Sequence, residues 1–325
     1  MKILVRSAAA VALTATLAAC GGGGGPAPGI PAPPPAPPPP PPPPPAPPPT
    51  YSSFAAPTGN QQVAMTGVVS TATDTQTGTG YFPGEAQVTA APYSSARLSI
   101  SYNAASNSYT VQDGARSREF LPADIRSADG TNGPAFVNYA RNPGTRNSDY
   151  LSLYRPVGAG GDDVALTYTT LAMWTHQDIV DVGSVTETRR SLVWGVGGFE
   201  TLASDMPLTG TASFSGPLRG YSVFPMPGLG AATGPLTGQA RLTADFGLGT
   251  VQARLTANRS GYPTLLLEGA GTISANRFGG NLSGNGFSGP FDGAFHGPRA
   301  AEMGLSFSVT DAAGARAYGV GAGRQ

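Results

Sequence analysis

Few residues in this chain have the types and spacing that chemistry needs. There are two histidines, His176 and His296, and one cysteine, Cys20. A single thiol forms no intramolecular disulfide. A metal site needs three or four converging ligands. His176 has Asp178 and Asp181 close in sequence, but strand alternation does not force all three onto one point. No serine sits in a Gly-x-Ser-x-Gly elbow. Asp162-Asp163, beside Gly158, Gly160 and Gly161, lacks the oxygen spacing of a calcium loop and reads as a turn. Glu302 follows a Gly-Pro strand stop, which suits a carboxylate accepting hydrogen bonds from turn amides. Trp174 and Trp194 lie in apolar runs and read as core. No enzyme, cofactor or metal ion is therefore expected.

Cys20 has a different chemistry in view. Lys2 and Arg6 supply a short positive region, and residues 8–17 an apolar stretch too short to span a bilayer. Leu17-Ala18-Ala19-Cys20 then resembles the lipobox of bacterial lipoproteins. The motif implies cleavage before Cys20 and attachment of lipid, with palmitate-class acyl chains, to it. Gly21 follows, not the aspartate that favours inner-membrane retention. The expected location is the outer membrane, lipid-anchored and surface-exposed.

The glycines at 21–25 lack the Gly-Lys-Ser/Thr of a phosphate loop and read as a joint. From 26 to 49, 18 of 24 residues are proline. Proline removes the N–H donor and fixes φ, so this disordered Pro-rich linker is a polyproline rod of roughly 75 Å at about 3.1 Å per residue. The linker is read as a spacer.

Beyond it, 19 basic and 19 acidic residues balance over the chain, with no like-charge block and no basic surplus for nucleic acid. The chain has 46 glycines, only six of them at 21–25 and 29, a density that fits short strands and many turns. Residues 239–246 and 251–257 alternate apolar and polar, so each run buries one face. A four-residue loop at 247–250 would pair Phe246 with Val251 and Leu242 with Leu255. Similar runs at 208–215, 219–224, 265–274, 277–283, 291–296, 304–309 and 317–320 give eight or nine strands, expected to close on themselves. Before them, 63–70, 97–102, 108–112, 150–154, 164–174 and 190–196 read as strands, while 115–144 reads as loop with a short helix. The fold class is all-β: an open or twisted unit at 51–203, then a small eight-stranded antiparallel barrel at 204–325. Residues 1–19 form the signal peptide and 20–50 the anchor and linker.

The stretches at 199–220 and 289–309, with Gly293, Phe295, Gly297, Pro298, Ala300 and Glu302 in place, and the closing 319–324, are similar to the transferrin-binding protein B-like surface lipoproteins. Leu305 stands where that pattern has a second glycine. The resemblance implies a handle-like β region and a barrel, displayed by a lipid anchor and binding a solute or protein, in nutrient acquisition or host and environment interaction. An outer-membrane translocator or receptor is an implied partner. With one handle and one barrel, transferrin itself is not the expected ligand. The alternative is a structural envelope lipoprotein with no specific ligand.

The inward set expected for the barrel is Leu242, Phe246, Val251, Leu255, Phe291, Phe295, Leu305, Phe307 and Val309. It carries no polar group to orient a solute, so a filled barrel is expected, with binding left to loops or to 51–203.

Overall fold

In a computed structural model, the structure describes residues 50–54, 57–77, 80–82, 91–114, 116–126, 136–155, 164–183, 185–226 and 230–325. Cys20, the linker and the 158–163 turn lie outside them. The N-terminal strands are β1 (Gln61–Thr77), β2 (Gly80–Phe82), β3 (Ala91–Asn103), β4 (Ser108–Asp113), β5 (Arg116–Phe120), β6 (Ile125–Arg126), β7 (Phe136–Arg141), β8 (Asn147–Tyr154), β9 (Thr169–Val182) and β10 (Val185–Gly198). They form one antiparallel sheet in the order β5-β4-β3-β1-β10-β9-β8-β7-β6, with β2 on β1. The sheet curls until its arms touch: Arg141 Nη1 donates to the Glu119 carbonyl at 2.8 Å, and Arg118 reaches Asp149. Inside the curl lie Met65, Ile100, Tyr109, Phe120, Leu151 and Trp174. This is the handle.

Eight further strands close a barrel: β11 (Thr211–Met226), β12 (Gly230–Asp245), β13 (Thr250–Asn258), β14 (Leu265–Ser274), β15 (Arg277–Gly284), β16 (Phe287–His296), β17 (Glu302–Thr310) and β18 (Arg316–Arg324). β18 pairs back onto β11. Phe295 sits at the barrel's centre, 5.6 Å from Phe214, 5.5 Å from Phe246 and 4.9 Å from Phe278 between ring centroids. The expected inward residues are buried there, with Phe246 only partly covered at the mouth. Gly293 supplies room: a Cβ on it would lie 2.4 Å from the Phe278 ring. Leu305 is buried in an unbroken register, so its replacement of a glycine creates no bulge.

Four details differ from the sequence reading. The hairpin loop is 246–249, closed by Asp245 opposite Thr250, so Leu242 faces Ala253 and Leu255 faces Ala240. The difference is two residues, which preserves the buried face because the side-chain period is also two. The run 208–215, from Thr211 on, and the run 219–224 are one strand, β11. Pro217 falls in a gap of the β11–β18 ladder, between the Ser215–Arg324 and Leu218–Gly321 pairs, where its missing N–H costs nothing. Residues 116–120, 125–126 and 136–141, read as loop, are strands that complete the handle's arms, and a 3-10 turn at Pro122–Asp124 joins the first two. Their arginines, Asn and Tyr mask the alternation. Finally, β9 starts at Thr169, not 164. The amides of Thr167 and Tyr168 are spent on Glu302 instead of a ladder.

Candidate binding surface

Handle and barrel share a third apolar cluster, with Val68, Leu171, Trp194 and Val196 from the sheet and Tyr318, Val320 and Ala322 from β18. That seam absorbs most of the residues that could do chemistry. Glu302, at the start of β17, is buried, and its two oxygens accept the amides of Thr167 (2.6 Å) and Tyr168 (2.9 Å). The turn-amide role read from sequence holds, but the amides come from the handle, 135 residues away for Thr167. Burial pushes the Glu302 carboxyl above its usual range, and the amide bonds pull it back. His296 lies opposite Glu302 and forms a bridge with Glu200 from the handle's last segment. It is buried, and burial, helped by the nearby Arg277 charge, depresses it to about 3. Its Nδ1 has no hydrogen-bond partner among the described residues. Around it, the Thr201 amide donates to the Phe295 carbonyl and the Gly297 amide to the Phe199 carbonyl, both at 2.8 Å. Glu200 pairs with Arg277 and accepts from Asn276.

His176 lies at the rim of the handle's interior. Its Nδ1 is 2.9 Å from Asp149 Oδ1 and its Nε2 is 2.9 Å from Asp178 Oδ2. Asp149 is 0% exposed and also accepts the Trp174 indole N–H at 2.9 Å. Arg118 Nε stands 2.7 Å from Asp149 Oδ2, close enough for an ion pair though not aligned as a hydrogen bond. Of the two aspartates near His176 in sequence, Asp178 meets it, whereas Asp181 pairs with Arg146. The partner that sequence reading missed is Asp149, brought opposite His176 by the β8–β9 register. Among the described residues no three His, Cys, Asp or Glu side chains converge as metal ligands. The cluster is an ionic plug at the mouth of the handle's apolar interior.

The exposed half of the barrel wall, on β12 to β14, carries Arg241, Thr243, Gln252, Arg254, Glu268 and Thr272. Polar outside and apolar inside is the reverse of a membrane-spanning barrel. Among the described residues no helix is long and apolar enough to cross a membrane. At the barrel end where β13 stops, Tyr262 stacks on Phe224 at 4.9 Å, and Phe287 meets Phe224 edge-on. The Arg259 guanidinium sits 4.0 Å over the Tyr262 ring and donates to the Ala232 carbonyl at 3.1 Å. The loop is held by the Tyr262 amide donating to the Arg259 carbonyl (3.1 Å) and by Gly261 at φ 79. Tyrosine and arginine, pre-ordered and partly exposed, are the side chains that carry protein interfaces. The sequence offered no signal for this platform: Phe224 and Tyr262 are far apart in the chain.

Residues 206–325 match the family described as the C-lobe and N-lobe β-barrels of Tf-binding protein B. This part of the chain is similar to the barrel domains of transferrin-binding protein B. Solved structures of similar proteins include a mutant transferrin-binding protein B from Haemophilus parasuis Hp5, 12% identical, covering 82% of this chain and 76% of that one with a TM-score of 0.33. Another is the isotype 1 protein from serogroup B Neisseria meningitidis, 11% identical, covering 83% and 79% with a TM-score of 0.32. No curated protein matches the chain.

Proposed function

We propose that this chain is a surface lipoprotein, anchored in the outer membrane through Cys20, that binds a protein or solute ligand through the loops at the Tyr262 end of its barrel. The observation that carries the reading is the barrel type of 206–325 joined to a packed interior. With Phe214, Phe291, Phe295 and Phe307 filling the centre, a ligand meets the outside of the domain. The relatives' names say that they bind transferrin. For this chain the supported class is wider: a protein ligand or a carried solute taken up in nutrient acquisition, handed to an outer-membrane receptor or translocator. The polar barrel wall supports attachment by lipid alone.

The test has two arms. Cys20→Ala in a Gram-negative host should abolish fatty-acid labelling and release the protein from the membrane fraction. Labelling that survives the substitution would sink the anchor. The purified acylated chain is then tested against transferrin, other iron-carrier proteins and haem, beside an Arg259→Ala/Tyr262→Ala variant. Binding weakened at least tenfold in the variant, about 1.4 kcal/mol, supports the platform. A ligand that binds both proteins equally places the site elsewhere.

A further inference from the structure

Six large apolar side chains stand well exposed among the described residues, and three belong to one end of the barrel: Leu208 (84%), Leu248 (77%) and Leu202 (50%). Leu248 is at the tip of the 246–249 loop, and Leu208 is on the segment entering β11. The two segments run side by side, because the Phe246 amide donates to the Gly210 carbonyl at 2.9 Å. Leu202 opens the 3-10 turn Ala203–Asp205, and its amide donates to the Tyr51 hydroxyl at 3.0 Å. Short hydrogen-bonded turns thus project leucines into water, where burying their apolar surface would favour a docked state. Single exposed leucines are ordinary; three at one rim are not.

The rim carries charges of both signs. Arg299 and Arg324 are exposed at this rim, and the Arg299 guanidinium makes no salt bridge among the described residues. The nearby carboxylates keep their charge but are tied down by bonds within the protein. Asp205 accepts the Tyr51 hydroxyl (2.9 Å) and the Arg299 amide (3.0 Å). Asp245 accepts the Leu248 amide at 2.9 Å, Glu200 pairs with Arg277, and Glu302 is buried under the handle.

The third observation is where the chain comes in. Tyr51, two residues past the proline-rich stretch, is bonded to Leu202 and Asp205 and packs edge-on against Tyr168 at 6.0 Å. The 31 residues from Cys20 to Thr50 therefore end at this same rim, and could reach no farther than about 110 Å even fully extended.

We propose that the Leu202–Leu208–Leu248 rim is a membrane-docking face: the leucines enter the headgroup boundary of the bilayer that holds the anchor, and Arg299 and Arg324 meet anionic headgroups. The inference rests on the lipid-anchor reading of Cys20. A tether holds the rim at high local concentration over the bilayer, so a patch too small to bind membranes alone suffices. The docked orientation turns the Tyr262 platform outward, since β13 separates the two ends by nine residues, about 30 Å of strand.

The experiment uses the acylated full chain with Leu248→Cys carrying an environment-sensitive fluorophore. Cys20 is thioether-blocked, so the introduced thiol is the reactive one. Ala313→Cys, in the turn at the opposite end, is the reference. Both are reconstituted in phosphatidylethanolamine–phosphatidylglycerol vesicles containing a lipid-borne quencher. The label at 248 should shift to the blue and be quenched about threefold more than the label at 313, and Leu208→Ser with Arg299→Gln should reverse the shift. A label at 248 that stays as exposed as that at 313, on protein that floats with the vesicles, overturns docking while leaving the anchor intact. A shift without lipid quenching means that a second copy covers the rim, and also overturns it. Protein that carries no acyl group and fails to float refutes the anchor and this inference with it.

Discussion

Replacing His296 with leucine tests whether the seam between handle and barrel is set by a neutral imidazole. The side chain is buried, its Nδ1 is unpartnered among the described residues, and burial with the Arg277 charge holds it down to about 3. Unfolded, it would protonate near its ordinary 6.5. Below that pH the unfolded chain takes up a proton that the folded chain refuses, so stability falls as pH drops from 6.5 towards 3. Each pH unit in that window is worth about 1.4 kcal/mol, which puts the loss at pH 4 at roughly 3 kcal/mol. Glu302 acts in the opposite sense. Its folded value is raised above the ordinary 4.5, so its own contribution is larger in acid and is lost as pH climbs through that raised value. The difference between wild type and His296→Leu separates the two, since Glu302 is common to both. Urea unfolding followed by fluorescence of the buried Trp174 and Trp194 at pH 7.5, 6, 5 and 4 measures it. The wild type should lose stability relative to the variant at each step below 6.5. A difference that stays constant from pH 7.5 to pH 4 would refute the reasoning, because it would mean that folded His296 protonates like a solvated imidazole.

Three other substitutions probe the same construction. Glu302→Ala leaves the Thr167 and Tyr168 amides without their acceptor; at roughly 1.5–3 kcal/mol for each bond to a charged group, moderated by the partial exposure of Thr167, a loss of about 2–4 kcal/mol in urea unfolding is expected. Phe295→Ala opens a cavity in the barrel's aromatic centre and should cost about 3–5 kcal/mol without changing ligand affinity; a specific affinity loss would argue for a site inside the barrel. Gly297→Ala forces a Cβ within 2.2 Å of the Tyr168 ring at a residue with φ 72, so the melting temperature should fall, and Tyr168→Ala should restore part of it. No rescue would mean that the strained φ alone sets the cost.

Strand type and burial were legible in the alternation. Residues 239–246 and 251–257 announce one buried and one wet face. A register two residues off leaves that face unchanged, which is why the pattern alone did not fix the pairing of Leu242. The eight-stranded closure followed from the count of short runs and the need to remove edges. The Gly-Phe spacing at 291–295 likewise spoke of rings packed in a narrow space, as Phe278 against Gly293 bears out. Residues 116–120, 125–126 and 136–141 were misread because their strands pack on curled sheet arms, where Arg116, Arg118 and Arg141 make ion pairs and carbonyl bonds in place of the usual polar-out pattern.

What the sequence by itself determined was composition-level and local: an all-β chain, apolar on one side of each strand, with a filled barrel. What only the tertiary structure decided was partnership across long separations. Glu302 was visible as a carboxylate wanting amides, but that those amides belong to Thr167 and Tyr168 depends on how the handle lies on the barrel. His176 was visible with two nearby aspartates, yet its main partner is Asp149, 27 residues away. Periodicity records which face of a strand avoids water. It carries no information about which distant strand comes to lie beside that face, and there the buried charges of this protein find their partners.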